Sequence, residues 1–434
     1  MEKELVEVCE IEKEFAPIIG YKSIKNEMIK ICDIMRNRDF YSKLGVSVPN
    51  GLLLSGDPGL GKTLMANCFI KATGRNAFTC RKDKPDGEFV NYIKAIFDEA
   101  VKNAPSIVFL DDMCKFANGD EYHKNSEEFV TVQSCIDDVK GKDVFVLATI
   151  NDESAIPDSL MRAGRFDNRI EVKEPKGEDA EKIVEHYIKR KNFVSDVDVK
   201  TITRLLNGAS CAELETVINQ AGVYAGFNRK EKIEMEDIVK ACLRIIHKAP
   251  EKESAHSPEV LKAVAYHEAG HAVIAEALEP SSVNFVSVRS HGGDAGGFTN
   301  YYQPEEYWVK KRYMENRVMV LLGGKAATEI VFGEADVGAN NDLRRAFDIV
   351  ERFVDNYCSN DFSRWIQDGY ASEGTRERRD TQMASEMTYF YQKAKKILMD
   401  NREFLDKLAQ ALINKDVLTS VEIEAIKATC KIVA

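Results

Sequence analysis

Short runs of apolar residues alternate with amphipathic stretches in the first part of the chain. Four of the runs have the length and the branched aliphatic content of buried β-strands, and they cover residues 51–55, 107–110, 144–150 and 169–172. Between the first two runs, residues 90–104 show the spacing of a helix. Strands that alternate with helices predict a mostly parallel sheet with helices packed on it.

The rest of the chain has mainly helical patterns. They run from about residue 176 to 248, and a polar stretch with two prolines follows at 250–259, which is typical of a linker. Residues 260–278 are helix formers almost throughout and predict one long helix. A strand-like stretch at 283–290, a glycine-rich turn and long helices complete the chain. These patterns predict a separate, mainly helical part after the α/β part.

The composition is that of an ordinary globular protein, since 30% of the 434 residues are charged and 44% are hydrophobic. A net charge of −11 argues against a general nucleic-acid surface. Ten cysteines without a CxxC pair argue against a zinc ribbon or a disulfide framework. The apolar runs are too short for a membrane span, and the N terminus lacks a signal-peptide pattern. We expect a soluble, cytoplasmic protein with no nucleic-acid partner and no membrane segment in this chain.

The sequence GDPGLGKT follows the first predicted strand and precedes a helical pattern, which is the context of a phosphate-binding loop. Its backbone N–H groups can close around phosphates at the N terminus of a helix. Lys62 would reach the β- and γ-phosphates, and the Thr63 hydroxyl would bind Mg²⁺. The alternative is a glycine-rich turn with an incidental Lys-Thr. The predicted nucleotide-binding residues here are Gly56, Asp57, Pro58, Gly59, Leu60, Gly61, Lys62, Thr63 and Leu64.

A second predicted strand ends in two aspartates, in the sequence IVFLDD. Asp111 is placed to hold Mg²⁺ through water, as in a Walker B strand, and Asp112 lies where a water-orienting carboxylate belongs. The alternative is a strand end with two solvated carboxylates.

The sequence AYHEAGHAV lies within the long predicted helix. His267 and His271 are one turn apart and face the same side, so both imidazoles can bind one Zn²⁺, with Glu268 beside them as general base. The alternative is two partly buried histidines on an amphipathic helix.

Zinc normally takes a third protein ligand and leaves one position for water. His256 and His291 lie nearby in loop-like sequence, while Glu329 and Asp342 lie in helical segments. Asp342 falls in the first turn of its helix, where capping and the helix dipole favour an aspartate without any metal. The residues alone leave the third ligand open.

The sequence ATINDESAIPDSLMRAGRFD resembles the sensor-1 and arginine-finger region of AAA ATPases. Asn151 matches the sensor-1 asparagine, while Arg162 and Arg165 match the two arginines that reach the nucleotide of a neighbouring subunit. An arginine supplied in trans stabilises charge on the transferring phosphoryl group. The resemblance therefore implies that hydrolysis depends on ring assembly. The alternative is a pair of surface arginines.

Two further segments are similar to AAA proteins. FAPIIGYKSIK resembles the segment that cradles adenine, with Ile19 and Gly20 at its centre. LLNGASCAELETVINQA resembles the second sensor in the helical lid, where Ala212 matches, and Cys211 and Glu213 depart from the usual glycine and aspartate.

Residues 260–415 resemble the peptidase domain of the FtsH family of ATP-dependent zinc metalloproteases, through YHEAGHAV, VLLGGKAATEIVFGE, GANNDL and ALINKDVL. The resemblance implies that Asp342 is the third zinc ligand and that Glu329 supports the ligands. It also implies that an edge strand at Gly296–Phe298 pairs with an extended substrate, although an ordinary hairpin is the alternative.

The resemblance implies an α/β P-loop AAA domain with a helical lid, followed by a mainly α-helical zinc metallopeptidase domain. The expected cofactors are Zn²⁺, ATP and Mg²⁺, the substrates are proteins or peptides, and the assembly is a homo-oligomer, a ring of six in the family. The expected boundaries are 1–175 for the large AAA domain, 176–249 for the lid, 250–259 for the linker and 260–434 for the peptidase domain.

Three departures from the family affect the expected function. Family members usually begin with transmembrane helices, which this sequence does not show. Met1 favours a soluble relative, and we expect membrane association only if an N-terminal segment of a longer parent protein was removed. Asp112 replaces the usual glutamate, which predicts slow ATP hydrolysis. Phe89 stands in the segment of the substrate-gripping pore loop without the usual glycine, so it is either the gripping aromatic or part of helix packing. The alternative functions are a zinc peptidase with an idle ATPase that cleaves only flexible polypeptides, and a non-cleaving, chaperone-like scaffold.

Overall fold

The chain folds into two compact units. One consists of Met1–Phe193 and Gly208–Asn219, and the other of Val194–Asn207 and Gln220–Ala434. The computed structural model describes residues 10–83, 85–117, 126–154, 156–162, 164–194, 197–249, 257–289, 296–301, 310–334, 337–355 and 372–433.

The first unit contains a parallel sheet with the strand order β2-β3-β4-β1-β5 among its described residues. Its strands are β1 (Gly51–Ser55), β2 (Asn76–Cys80), β3 (Ser106–Leu110), β4 (Val144–Thr149) and β5 (Asn168–Glu171). The helices are α1 (Lys22–Arg36), α2 (Arg38–Lys43), α3 (Lys62–Thr73), α4 (Asp86–Lys102), α5 (Ser126–Asp138), α6 (Gly177–Ile188) and the first part of α8 (Cys211–Phe227). Parallel strands end at one edge of the sheet, so the loops after β1, β3 and β4 meet there.

The predicted parallel α/β sheet is confirmed, and the four predicted strands are all present. The sequence pattern did not reveal β2, because Cys80 is the only one of its five residues that is buried. A mostly exposed strand carries no run of buried apolar residues, which is the signal that identified the others.

Phe89 lies on α4 with its side chain 0% exposed. Its ring centroid is 5.1 Å from that of Phe116 and 5.9 Å from that of Tyr92. Ile93 and Phe97 follow at helical spacing and are also buried. The structure therefore agrees with helix packing, and the alternative that Phe89 grips a substrate is not supported.

The second unit is mainly helical. Its helices are α7 (Val199–Leu205), the last part of α8, α9 (Met235–Ile245), α10 (Pro258–Leu278), α11 (Lys311–Phe332), α12 (Asn340–Asp355), α13 (Glu373–Asp400), α14 (Arg402–Lys415) and α15 (Ser420–Lys427). Its described strands are β6 (Val283–Ser287), β7 (Phe298–Tyr301) and β8 (Val417–Thr419), which form an antiparallel sheet in the order β7-β6-β8.

The helix α10 forms the centre of this unit. Its start is fixed by Ser257, whose hydroxyl accepts a hydrogen bond from the Val260 N–H, and by Pro258 in the first turn. From Ala265 to Ala277 nearly every residue is buried, against α11, α13 and α14 among others. A helix that is apolar on most sides has to be surrounded, which explains its central place.

The predicted edge strand begins later than expected. Gly296 and Gly297 precede β7, which starts at Phe298 and pairs with β6 alone in the described part of the sheet. Most of the predicted linker, residues 250–256, lies outside the described residues, as do His256 and His291. No described helix has the length and hydropathy that a membrane span requires.

Candidate metal centre and nucleotide site

Three side chains of the second unit converge at the centre of α10. His267 and His271 lie one turn apart on α10, and Asp342 lies in the first turn of α12. The two Nε2 atoms are 3.1 Å apart, and the Asp342 Oδ2 atom lies 3.3 Å from His267 Nε2 and 3.2 Å from His271 Nε2. The two Nε2 atoms and the Asp342 Oδ2 atom therefore converge on one point.

These distances fit a zinc ion. Ligand atoms about 2.0–2.1 Å from a tetrahedral zinc are separated from each other by roughly 3.3 Å. The three separations, from 3.1 to 3.3 Å, have this length. Two imidazoles and one carboxylate make up three ligands and leave a fourth position open.

The orientation of the His271 ring is fixed by a contact of the ring nitrogen that faces away from the cluster. Its Nδ1 atom lies 2.7 Å from the carbonyl oxygen of Val320 on α11. An Nδ1–H that donates to this carbonyl leaves Nε2 with its lone pair towards the cluster, which is the tautomer that binds a metal.

Without a metal, Asp342 holds a proton on His271. Burial alone would lower the pKa of His271, but the charge of Asp342 and the hydrogen bond to it raise that pKa to about 9. Burial alone would also raise the pKa of Asp342, yet His271 and His267 hold it far below its usual range. Zinc therefore has to displace a proton from His271 at neutral pH.

We expect the affinity of the metal-free protein for zinc to rise about tenfold per pH unit between pH 6.5 and 8.5. The sign follows from the raised pKa of His271, about 9, because protons compete with zinc below that pH. Competition with a chromophoric chelator at each pH measures the affinity. In Asp342→Asn the carboxylate that holds the proton is missing, so the pH dependence should level off near the ordinary imidazole pKa of about 6.5. A flat wild-type affinity over this range would contradict the prediction.

Glu268 is buried directly beside the first histidine, and burial raises the pKa of its carboxyl group. The Thr299 hydroxyl on β7 lies 2.9 Å from Glu268 Oε2 and 3.0 Å from the Glu268 backbone carbonyl. The sequence motif predicts Glu268 as the base, whereas the hydrogen bond from Thr299 on β7 depends on the fold.

A cavity of about 410 Å³ opens onto these residues within the second unit. Its lining includes the three clustered side chains, Glu268, all of β7, and two arginines, Arg317 and Arg345. The sequence pattern did not indicate either arginine, because each belongs to an ordinary helical stretch.

Glu329 does not contact the metal cluster among the described residues. Its carboxylate accepts hydrogen bonds from Lys395 Nζ at 2.6 Å and from the Tyr391 hydroxyl, both on α13. Five residues earlier on α11, Gly324 faces His267. Five helical residues turn a side chain by about 140°, so Glu329 points to a different neighbour. The expected support of the ligands is wrong for this structure.

In the first unit, the phosphate-binding loop connects β1 to α3 as predicted. Lys62 Nζ donates to the carbonyl oxygens of Gly56 at 2.6 Å and Asp57 at 2.8 Å. The Thr63 hydroxyl donates to Asp111 Oδ1 at 3.2 Å, which joins the loop to the end of β3. The two predicted Mg²⁺-binding groups are thus adjacent.

The Asp111 carboxylate has two more partners that the sequence did not indicate. The Thr149 hydroxyl donates to Oδ1 at 2.9 Å, and the Arg81 guanidinium binds Oδ2 through Nε and Nη2, each at 2.7 Å. Mg²⁺ ligation through Oδ2 would therefore have to displace Arg81.

Asp112 and Asn151, which follow β3 and β4, lie side by side. Asn151 Nδ2 donates to Asp112 Oδ1 at 2.8 Å, and Lys115 Nζ lies 2.7 Å from Asp112 Oδ2. Each oxygen of the Asp112 carboxylate therefore has a nitrogen partner, and these two contacts fix the orientation of the carboxylate.

The two predicted arginine fingers have different environments. The Nε and Nη2 atoms of Arg165 donate to the two Asp137 oxygens at 3.0 and 2.6 Å, and this lowers the pKa of Asp137 to about 2. Arg162 is exposed and has no ion pair among the described residues. Arg162 is therefore the arginine that can reach out of this unit.

The other predicted nucleotide-binding segments lie close to the loop within the first unit. The Ala212 N–H donates to the Gly59 carbonyl at 3.0 Å. Gly20 is buried and Ile19 half-buried, and the hydroxyl of the next residue, Tyr21, lies 3.5 Å from Cys211 Sγ. These contacts place the adenine segment and the second-sensor segment side by side.

The fold and the two sites define a class, an AAA ATPase domain joined to a zinc-peptidase domain. Residues 52–174 match the family model of the "ATPase family associated with various cellular activities (AAA)". Residues 254–426 match the model of "Peptidase family M41".

Curated relatives identify the family. The "ATP-dependent zinc metalloprotease FtsH" of Helicobacter pylori (strain J99 / ATCC 700824) is 31% identical, over 98% of this chain and 72% of the relative. The "ATP-dependent zinc metalloprotease FtsH 2" of Thermoanaerobacter sp. (strain X514) is 29% identical, over 95% of this chain and 82% of the relative. The chain belongs to the FtsH family, an AAA ATPase combined with an M41 zinc peptidase.

Proposed function

We propose that this protein is an ATP-dependent zinc metalloendopeptidase that unfolds and degrades proteins in a homo-oligomeric ring. The observation that carries the proposal is the cluster of His267, His271 and Asp342 with Glu268 in one cavity. The same chain has a P-loop with its Walker B aspartate in hydrogen-bond contact.

The peptidase chemistry rests on four side chains. His267, His271 and Asp342 would hold zinc, which supplies Lewis-acid activation of water and of the scissile carbonyl. Glu268 takes a proton from the attacking water and passes it to the leaving amine. Burial raises the pKa of this carboxyl, which makes it a stronger proton acceptor than a solvated glutamate.

The edge strand β7 supplies a surface for the substrate. Its residues line the cavity, and it pairs with β6 alone among the described residues. An extended peptide can add to such an edge through main-chain hydrogen bonds. Thr299 on the same strand contacts Glu268, so the substrate would lie beside the general base.

The nucleotide site has the parts of an ATPase. Lys62 and Thr63 would bind the phosphates and Mg²⁺ together with Asp111, and Asp112 with Asn151 would orient the attacking water. Arg162 would reach the nucleotide of a neighbouring subunit in the ring, while Arg165 would keep its own loop in place through Asp137. Hydrolysis would then require assembly, in a ring of six as the family implies.

The test is degradation of a labelled unfolded protein with and without ATP, in the wild type and in Glu268→Gln. We expect ATP-stimulated degradation that the substitution abolishes. Absence of zinc and of cleavage in the wild type would overturn the proposal and revive a non-cleaving scaffold.

One observation favours a second candidate, a zinc peptidase with an idle ATPase. Phe89 is buried, so the expected gripping aromatic is not at the surface. Cleavage of flexible peptides that does not depend on ATP, with no degradation of a stable tagged domain, would establish this alternative.

Asp112→Glu should raise steady-state ATP hydrolysis, by up to about 10²-fold. Aspartate is one methylene shorter than the usual glutamate, so its carboxylate lies about 1 Å further from the water that it orients. A coupled assay of the assembled protein measures the rate, and nucleotide affinity should stay the same because Lys62 and Asp111 are unchanged. An unchanged hydrolysis rate would show that the shorter side chain is already well placed.

A further inference from the structure

Two arginines face the same cavity as the metal cluster. Arg317 lies on α11 and Arg345 on α12, and both line the cavity together with Asp342 and Glu268. Neither takes part in the zinc chemistry proposed above, so their role in the cavity needs another explanation.

Arg317 is held in place by an aromatic ring. Its guanidinium carbon lies 4.1 Å from the centroid of Tyr301 on β7, which is a cation–π contact. Its Nη1 atom is buried and has no hydrogen-bond partner among the described residues. Buried donors without a partner are rare in folded proteins, and this one lies on a group that lines a cavity.

Arg345 follows Asp342 by three residues on α12, so the two side chains lie on the same face of that helix. It is exposed and forms no ion pair with the described residues, in a chain whose net charge is −11. Its charge is therefore available to a ligand in the cavity.

The balance of charge in the cavity favours an anion. The carboxylates of Asp342 and Glu268 offset the two positive charges of a zinc ion. The two guanidiniums then have no ion-pair partner among the described residues, within a partly enclosed space where electrostatic attraction is stronger than in water. Arginine is also the side chain whose donor geometry best matches a carboxylate.

We propose that Arg317 and Arg345 form an anion subsite that binds a carboxylate of the substrate close to the scissile bond. The carboxylate belongs to an aspartate or glutamate side chain or to the C terminus of the peptide. Because Tyr301 lies on β7, the subsite is next to the strand that would hold the substrate. The inference deepens the proposed peptidase function and rests on it.

The cleavage test uses short internally quenched peptides with amidated C termini that differ at one position. Glutamate, glutamine or lysine is placed on either side of the scissile bond, whose position is confirmed by mass spectrometry. Charged hydrogen bonds predict that kcat/KM is about 10- to 100-fold higher for glutamate than for glutamine, mainly through KM. A matched pair with free and amidated C termini shows whether a terminal carboxylate is bound instead.

The combined variant Arg317→Gln with Arg345→Gln should lose this preference and still cleave the glutamine peptide. Arg344→Gln is the matched control, because Arg344 is exposed on the same helix and does not line the cavity. Arg317→Lys keeps the charge, so it separates the loss of charge from a packing defect beside Tyr301. Zinc content, measured for every variant, shows that the metal centre is intact.

A binding measurement separates failure of the subsite from failure of the proposed function. Fluorescent forms of the same peptides are titrated into the zinc-loaded Glu268→Gln protein. Tighter binding of the glutamate peptide, lost in the combined arginine variant, supports the subsite even if the wild type cleaves none of the peptides. Equal binding of all peptides overturns it, and so does an arginine variant that lowers kcat equally for every peptide.

Discussion

Glu268→Gln should lower peptide cleavage by about 10²- to 10⁴-fold while zinc binding and ATP hydrolysis remain near wild-type levels. Glutamine has nearly the same shape as glutamate and can still accept from the Thr299 hydroxyl, which lies 2.9 Å from Oε2. It cannot take a proton from water, so the substitution removes only the proposed general base. The proposed metal ligands His267, His271 and Asp342 are unchanged.

Glu259→Gln is the matched control for this prediction. Glu259 lies in the exposed first turn of the same helix, α10, and should tolerate the change without loss of cleavage. Cleavage is followed with a quenched peptide, zinc by metal analysis and ATP turnover by a coupled assay. Residual cleavage near the wild-type rate in Glu268→Gln would mean that another group accepts the proton, and the proposed mechanism would be wrong.

Local sequence was sufficient to predict the relative placement of residues where a motif lies within one element or one loop. His267 and His271 are one helical turn apart, so the pattern alone implied that they face one point. The phosphate-binding loop was equally clear because its glycines and Lys62 follow a strand directly. In both cases a few consecutive residues determine the geometry.

Residues that come from distant elements were not predictable in this way. Asp342 lies 75 residues from His267, and its local pattern fitted a helix cap as well as a ligand. Only the resemblance to a family selected it, and the 3.3 Å distance between the two side chains now agrees. Arg81 and Thr299 have no local signal, because only the folded chain places them beside Asp111 and Glu268.

The sequence pattern was ambiguous where the same residues fit two different structural roles. Phe89 has the spacing of a buried helix face and also lies in the segment where the family has its pore loop. Its full burial against Phe116 decides the question for this structure. For Glu329, the family resemblance implied a role beside the ligands, but its side chain points to another face of α11 and contacts Lys395.

Gly324→Ala should reduce zinc affinity by about 10²-fold or more, because it acts on a ligand rather than on the fold. A Cβ atom at Gly324 would lie 2.4 Å from His267 Nε2, closer than any real contact. The imidazole is the end of a side chain and can rotate away, which costs the metal site one ligand. The backbone of α11 need not move, so the peptidase unit should stay folded.

Gly270→Ala gives the contrasting result. A Cβ atom there would lie 2.4 Å from the Gly323 carbonyl oxygen, so the clash is between the backbones of α10 and α11. These helices can separate only by opening the core, so this variant should lose stability, by at least the 1–3 kcal/mol or so typical of overpacking.

Gly374→Ala supplies the control for both substitutions. Gly374 lies in α13 with nothing within 4 Å of the added atom, and alanine at an exposed helix position should stabilise by roughly 0.5–1 kcal/mol. Zinc affinity by chelator competition and thermal unfolding of the metal-free proteins separate the two effects. Wild-type zinc affinity in Gly324→Ala would show that His267 is not held against α11 when the metal binds. A Gly324→Ala protein that is stable but binds zinc weakly, together with an unstable Gly270→Ala protein, would show that the crossing of α10 and α11 has two roles. Gly323 on α11 leaves room for the α10 backbone, and the adjacent Gly324 leaves room for the proposed zinc ligand His267.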